Sequence, residues 1–287
     1  MSALRITYPA VLPRLLEDSE AGLPRYAVEE KRNRYDAGMN AEATTRIAIE
    51  QLLNAIESRD LRRVRRALHP AARWQNVPHP AAEGRDAVMA LLSGILCWSE
   101  RVRWDVHHVS IEGANGSVER LDRFWLQGAE YAVACHGVFS VDMATRTVIS
   151  VRDYVDLGEW RQRVNPVLGV LASRPAAAVV SAHLTAINTA APLAIASHYA
   201  LDATIERPLG EITGWDAIAD YCDALAAGPG CHLIWGDVSS RGISSRGIDE
   251  IMVEWRLPAG EGTPQSGCDS YEVRDGRITK LVTTRDL

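Results

Sequence analysis

An internal repeat constrains this chain more than any other feature of its sequence. Trp74-Gln75-Asn76 is followed by VPHPAAE and then by Gly84-Arg85-Asp86-Ala87-Val88. Further on, Thr204-Ile205-Glu206 is followed by RPLGEIT and then by Gly214-Trp215-Asp216-Ala217-Ile218. Asn76 to Asp86 and Glu206 to Asp216 have the same separation, at a shift of 130 residues. The copies agree again at their ends, where TVISVRDYVDL matches ITKLVTTRDL and sets Arg152-Asp153 opposite Arg285-Asp286 at a shift of 133. Two matches in the same order, with so little slippage between them, describe a duplication. The copies are expected over residues 41–163 and 174–287, with 1–40 as an N-terminal arm whose charged stretch EEKRNRYD reads as solvated. A chain of 287 residues is also longer than one core usually serves.

Periodicity gives the same order of elements in each copy. In Ala43 to Leu68, apolar residues such as Ile49, Leu52, Leu53, Ile56 and Val64 recur at helical spacing, interrupted near Ser58-Arg59-Asp60. That pattern reads as two helices joined by a turn. Ala72 to Val77 reads as a short strand and Asp86 to Leu96 as another helix. Four segments rich in Val, Ile and aromatic residues follow, at 102–111, 117–126, 130–140 and 147–156, separated by polar turns such as Gly113-Ala114-Asn115-Gly116. The second copy repeats this with helices at 176–200 and 215–226, a strand at 203–207, and later strands ending at Asp286. Helices followed by an antiparallel sheet is an α+β order. A curved sheet wrapped over helices leaves a cone open at one end, which suits a small-molecule cavity.

Composition narrows the partners. The net charge of −6 argues against nucleic acid or an anionic membrane, which would want clustered Lys and Arg. Small neutral, hydrophobic ligands are the expected class. Five cysteines with no Cys-x-x-Cys pair indicate neither a disulfide framework nor a zinc ribbon, and they fit reduced thiols in a cytosol. The N-terminus lacks the continuous apolar stretch of a secretory signal and no run approaches 18 apolar residues, so a cytoplasmic location is expected. His107 and His108 are neighbours on a strand and face opposite ways, the other histidines lack ligand spacing, and Gly236, Gly242 and Gly247 form no phosphate-loop pattern. No metal, nucleotide or flavin cofactor is expected.

The chemistry concentrates in Glu119-Arg120-Leu121-Asp122-Arg123-Phe124. On a strand, Arg120 and Asp122 point to one face while Leu121 points to the other. If Asp153 faces inward from a neighbouring strand, two carboxylates flank one guanidinium inside the cone. Alternation in Ala72 to Asn76 puts Trp74 and Asn76 on one face, where Asn76 can reach the cavity. Spacing alone leaves a second reading open, because an Arg and an Asp two apart on a strand also describe an ordinary surface ion pair. Trp74, Trp125 and Phe139 are the aromatic candidates for contacting a substrate.

Three motifs in the same order resemble the limonene-1,2-epoxide hydrolase family: WQNVPHP followed by GRDAV, the Arg-x-Asp of ERLDRF, and the Arg-Asp-Tyr of VRDYVDL. The resemblance covers the first copy, and the wider shape resembles the nuclear transport factor 2-like superfold. It implies one-step epoxide hydrolysis in which one carboxylate activates water, a second protonates the departing oxygen, and an arginine bridges them. Matching position makes Asp122 the base, Asp153 the acid, Arg120 the bridge and Asn76 the holder of the water. One departure is Trp74, which stands where the family has a tyrosine and offers a donor but no acceptor. An epoxide-opening cyclase of a polyketide-type substrate and a non-catalytic binding protein remain open alternatives. Members of the superfold often pair through open sheet faces, which implies an intrachain pseudo-dimer or a homodimer.

The second copy keeps Arg285-Asp286, but the segment matching Arg120 and Asp122 is EIMVEW, which offers Glu254 and no arginine. Its stretch YALDATIERPLGEITG resembles the Δ5-3-ketosteroid isomerases, in which an Asp precedes the proline. Here Arg207 precedes Pro208, and a guanidinium cannot act as a base at neutral pH. Glu206, Glu254 and Asp286 are the acidic candidates for a remnant pocket in a copy expected to be structural.

Overall fold

A computed structural model of the chain describes residues 25–228, 233–243, 249–257 and 265–285. The first copy opens with α1 (Arg25–Glu57) and α2 (Leu61–Ala67), continues through β1 (Leu68–Asn76), β2 (Ala82–Glu83) and α3 (Arg85–Leu96), and then lays down β3 (Arg101–Glu112), β4 (Asn115–Leu126), β5 (Ala129–Asp142) and β6 (Thr147–Val155). Asp60 ends the turn foreseen between the first two helices and accepts hydrogen bonds from the backbone N–H groups of Arg62 and Arg63, the N-cap that starts α2. Two helices, α4 (Leu157–Arg163) and α5 (Asn165–Ala172), join the copies. The second copy comprises α6 (Ala176–Asn188), α7 (Pro192–Ser197), β7 (Tyr199–Arg207), β8 (Gly210–Thr213), α8 (Trp215–Ala227), β9 (Ile234–Ile243), β10 (Asp249–Leu257), β11 (Gln265–Arg274) and β12 (Arg277–Thr283).

The strand orders are β2-β1-β6-β5-β4-β3 and β8-β7-β12-β11-β10-β9, so the two sheets have one topology. Both are mixed rather than wholly antiparallel as expected, because β1 runs parallel to β6 and β7 parallel to β12. Apolar periodicity reports which face of a strand is buried and is silent on its direction. Two other boundaries differ from expectation. The first helix begins at Arg25, so EEKRNRYD is helical and continuous with α1, and the segment between the copies, for which periodicity gave no element, is helical.

Each sheet curls over its helices with alternate residues inward. In β4, Val118, Arg120, Asp122, Phe124 and Leu126 are buried, while Glu119 on the other face is exposed. α1 lays Ile49, Leu52, Leu53 and Ile56 into the first core, and α6 lays Val179, Val180, Leu184 and Ile187 into the second. Burying such aliphatic side chains is worth roughly 1.5–3 kcal/mol each. Gly84 and Gly214, at φ 86° and 88°, start α3 and α8 in a backbone region that glycine adopts freely, which accounts for their matched places in the repeat.

Much of the contact between the two cones runs through helices. Arg62 on α2 bonds Asp220 at 2.9 Å and Asp223 at 2.8 Å on α8, and Arg65 bonds Asp86 at 2.8 Å and lies 3.6 Å from Asp216. Trp215 packs against both cores. Within the chain, the expected pairing of the two copies through their open sheet faces gives way to contacts of α2 with α8 and of the β11–β12 hairpin with α3. No single described helix is long and apolar enough to cross a membrane.

Candidate active site

Strand register builds the site. Asn76 on β1 lies beside Asp153 on β6, Asp153 is opposite Gly137 on β5, and Gly137 is opposite Val118 on β4. Four residues along β4 from Val118, with Arg120 between them on the same face, Asp122 is opposite Trp104 on β3. The Arg120 guanidinium therefore reaches across β5 to Asp153. It donates from Nε to Asp122 Oδ1 at 2.8 Å and from Nη2 to Asp153 Oδ1 at 3.0 Å. The crossing depends on Gly137, since a Cβ there would meet Arg120 Nη1 at 2.3 Å and Asp153 Oδ1 at 2.8 Å. Trp104 holds the guanidinium from the side, with its ring centre 4.3 Å from Arg120 Cζ, and Phe139 lies 5.9 Å away.

All three charged groups are buried. Burial alone would lower the pKa of Arg120, but Asp153 and Asp122 outweigh it and hold the guanidinium charged. Burial pushes Asp122 up to about 7, with Arg120 pulling it down and Asp153 pushing it further up. Asp153 also accepts the indole N–H of Trp74 at 3.1 Å, so the one donor that this side chain offers is spent on a carboxylate. Cys135, which also lines the cavity, is pushed well above the usual thiol range by burial and then by Asp153.

These groups sit at one side of a cavity of about 250 Å³ whose wall is otherwise largely apolar. Trp74, Asn76, Asp122 and Asp153 border it, so four of the residues singled out from sequence come together there, with Arg120 joining the two carboxylates. Two aromatic expectations need correction. Trp125 is outside the cavity, because alternation turns it to the face opposite Asp122, where it stacks on Arg101 at 4.6 Å; Phe124 lines the cavity instead. Phe139 is not among the lining residues and packs beneath Arg120. Sequence reasoning also missed Trp104 and Trp160. The signal for Trp104 was its alternation on β3, whereas Trp160 comes from the joining segment. Trp160 meets Phe124 edge-on at 5.6 Å and, with Leu157 and Leu168, lines the cavity from α4 and α5. Arg161 ties α4 to the β1–β2 loop through His79 Nε2 at 2.7 Å.

The second cone holds a different charge pair. Register places Ile205 where Trp74 stands, Leu281 where Val151 stands, and hence Thr283, rather than the expected Asp286, in the place of Asp153. Asp269 takes the place of Gly137 and Trp255 that of Arg120. The missing cation is supplied from elsewhere, by Arg285, which donates to Asp269. Asp269 also accepts from Trp255 Nε1 at 3.0 Å, Tyr271 Oη at 3.0 Å and Thr283 Oγ1 at 2.7 Å. A fully buried carboxylate with four donors is committed to holding the sheet together. Glu254 is exposed and Glu206 bonds Lys280 at 2.7 Å, so neither enters this cluster; Asp286 lies outside the described residues. Among the described residues, no three His, Cys, Asp or Glu side chains are arranged to hold a metal ion.

A model of the SnoaL-like domain matches residues 49–146 and again residues 180–281, one span in each cone. The chain belongs to the SnoaL-like domain family. Solved structures similar to it each align with less than half of the chain. An LEH-like epoxide hydrolase from M. tuberculosis is 25% identical over 45% of this chain and 96% of its own, with a TM-score of 0.38. A protein described as a SnoaL-like polyketide cyclase from Shewanella denitrificans is 10% identical over 42% of this chain and 97% of its own, at 0.39. A nuclear transport factor 2-like protein of unknown function from Burkholderia pseudomallei is 18% identical over 42% of this chain and 98% of its own, at 0.38.

Proposed function

We propose that the first SnoaL-like domain is a cofactor-independent epoxide hydrolase acting on a hydrophobic small molecule, such as a natural-product intermediate. The observation that carries this reading is that Asp122 and Asp153 share the Arg120 guanidinium at the polar side of an apolar cavity. An acid and a base held together in such a place suit a reaction that takes one proton and gives another in a single step.

The geometry favours roles for the two carboxylates opposite to those that position alone suggests. Asp153 accepts hydrogen bonds from Arg120 and Trp74 and lies beside Asn76. It is the better placed to hold a water with Asn76 and take its proton. Asp122 accepts one bond from Arg120, and burial raises it to about 7, so near neutrality much of it carries a proton to give. Water oxygen then bonds to an epoxide carbon while that carbon's bond to oxygen breaks, Asp153 takes the water proton, and Asp122 protonates the departing oxygen. The product is a diol, and proton exchange with solvent restores both carboxyl groups. Phe124, Trp160 and the aliphatic side chains of α3 offer no charged partner, which suits a neutral hydrophobic substrate.

Incubating the full chain with a panel of epoxides in oxygen-18 water tests this. Label in a diol is expected. A cyclised product without label would instead mean that a hydroxyl of the substrate is the nucleophile, and absence of turnover across the panel would favour a binding protein.

A further inference from the structure

We infer that the β11–β12 turn of the second domain clamps the wall of the first domain's cavity, with Arg277 as the positioning residue. α3 and α5 form part of that wall through Leu91, Leu92, Ile95 and Leu168. Their ends meet the second domain at one place. Arg277 Nη2 donates to the Ser93 carbonyl on α3 at 3.0 Å, and its guanidinium lies 4.4 Å from the ring centre of Trp98, just past the end of α3. Its Nη1 reaches back to the Ser197 carbonyl of its own domain at 3.4 Å. Trp98 packs against the same buried cluster, Leu126, Val164 and Leu171, as do Ile95 and Leu168, both of which line the cavity, and Arg174 lies over the Trp98 ring at 5.2 Å.

The neighbouring turn residue makes the approach possible. Gly276 has φ 68°, and a Cβ there would meet the Leu171 carbonyl of α5 at 2.4 Å and Trp98 Cη2 at 2.9 Å. A hairpin built this close touches α3 through Arg277 and α5 through Gly276 together. Those two helices are short, and they owe their position to packing instead of to ladder hydrogen bonds. The second domain, whose own carboxylate is committed to Trp255, Tyr271, Thr283 and Arg285, thereby acquires a task in the first.

Amide hydrogen exchange of the full chain, comparing wild type with Arg277→Ala, Gly276→Ala and the milder Arg277→Lys, tests the clamp. Exchange over 91–98 and 157–172 is expected to rise at least about threefold in the first two variants, with β4 and β5 unchanged. Unchanged exchange in those helices, or an equal rise throughout the first domain, overturns the clamp. If Arg277→Ala fails to fold, Arg277→Lys decides by the same comparison. A second arm rests on the epoxide-opening reading: KM is expected to rise about three- to tenfold with kcat within about twofold, because the wall moves and the carboxylates do not. A fall in kcat at unchanged KM counts against the clamp. Should wild type open no epoxide, the hydrolase reading fails while the exchange result still decides the clamp.

Discussion

At the scale of single residues, the two carboxylates make separable predictions. Asp122→Asn and Asp153→Asn should each lower turnover by about 100- to 10,000-fold, because Asn matches Asp in shape but transfers no proton. Removing both should be little worse than removing one, since the groups act as a unit; steady-state rates of the three variants decide it. Turnover should also fall above about pH 7, as Asp122 loses the proton it gives. An aspartate whose pKa is higher folded than unfolded binds more protons when folded. Its contribution to stability is therefore full below about pH 4, declines as pH rises to about 7, and is flat above that. Asp122→Asn should accordingly melt higher than wild type at pH 8 and gain less at pH 5, by about 1–3 kcal/mol at the higher pH. Thermal melts at the two pH values that show no such difference would refute the raised pKa. Gly137→Ala should cost about 1–3 kcal/mol of stability and most of the turnover, as overpacking drives Arg120 from Asp153. The charged groups were legible because Arg120 and Asp122 alternate with Leu121, and the same alternation, applied one step further, would have set Trp125 outside. Gly137 was not legible, since the need for a missing Cβ arises only where β4, β5 and β6 bring Arg120 and Asp153 together.

At the scale of elements, the helices and strands could be read closely because each has one strong period. The four strands expected over 102–156 are found at Arg101–Glu112, Asn115–Leu126, Ala129–Asp142 and Thr147–Val155. Strand direction was not readable, and neither was the joining segment. LGEWRQRVNPVLGVLA is too short and too interrupted by Gly and Pro to show a helical stripe, yet it supplies α4 and α5. The second copy's motif misled for a similar reason: Arg285-Asp286 looks like Arg152-Asp153, but the hydrogen-bonded register shifts the match to Thr283. The joining helices carry a prediction of their own. Trp160→Ala should enlarge the cavity beside Phe124 and raise KM about tenfold for small epoxides, with kcat falling less, because packing on the substrate is lost while the Asp122–Arg120–Asp153 set stays. A series of epoxides of increasing size, assayed on both proteins, should show the loss shrinking as the substrate grows.

At the scale of the whole molecule, the duplication was visible because spacing survives where residue identity does not. Asp269→Ala in the second domain should destabilise by about 3–5 kcal/mol, since Arg285 would be left buried without its partner. Glu254→Gln, on an exposed position, should change the melting temperature little and turnover less than about tenfold. Parallel thermal melts and assays of the two variants check both.

Tandem domains of one topology run a risk while folding, because a strand of one can be taken up by the sheet of the other. The unlike placement of the two charge pairs opposes that exchange. If β6 entered the second sheet in place of β12, Asp153 would lie opposite Asp269, and Arg285, which follows β12 in the chain, would be absent. Two carboxylates would then be buried with no cation between them. If β12 entered the first sheet, Arg120 would face Thr283 and keep one carboxylate of two. Each sheet thus recognises its own closing strand by charge, as a lock refuses a key cut for the neighbouring door.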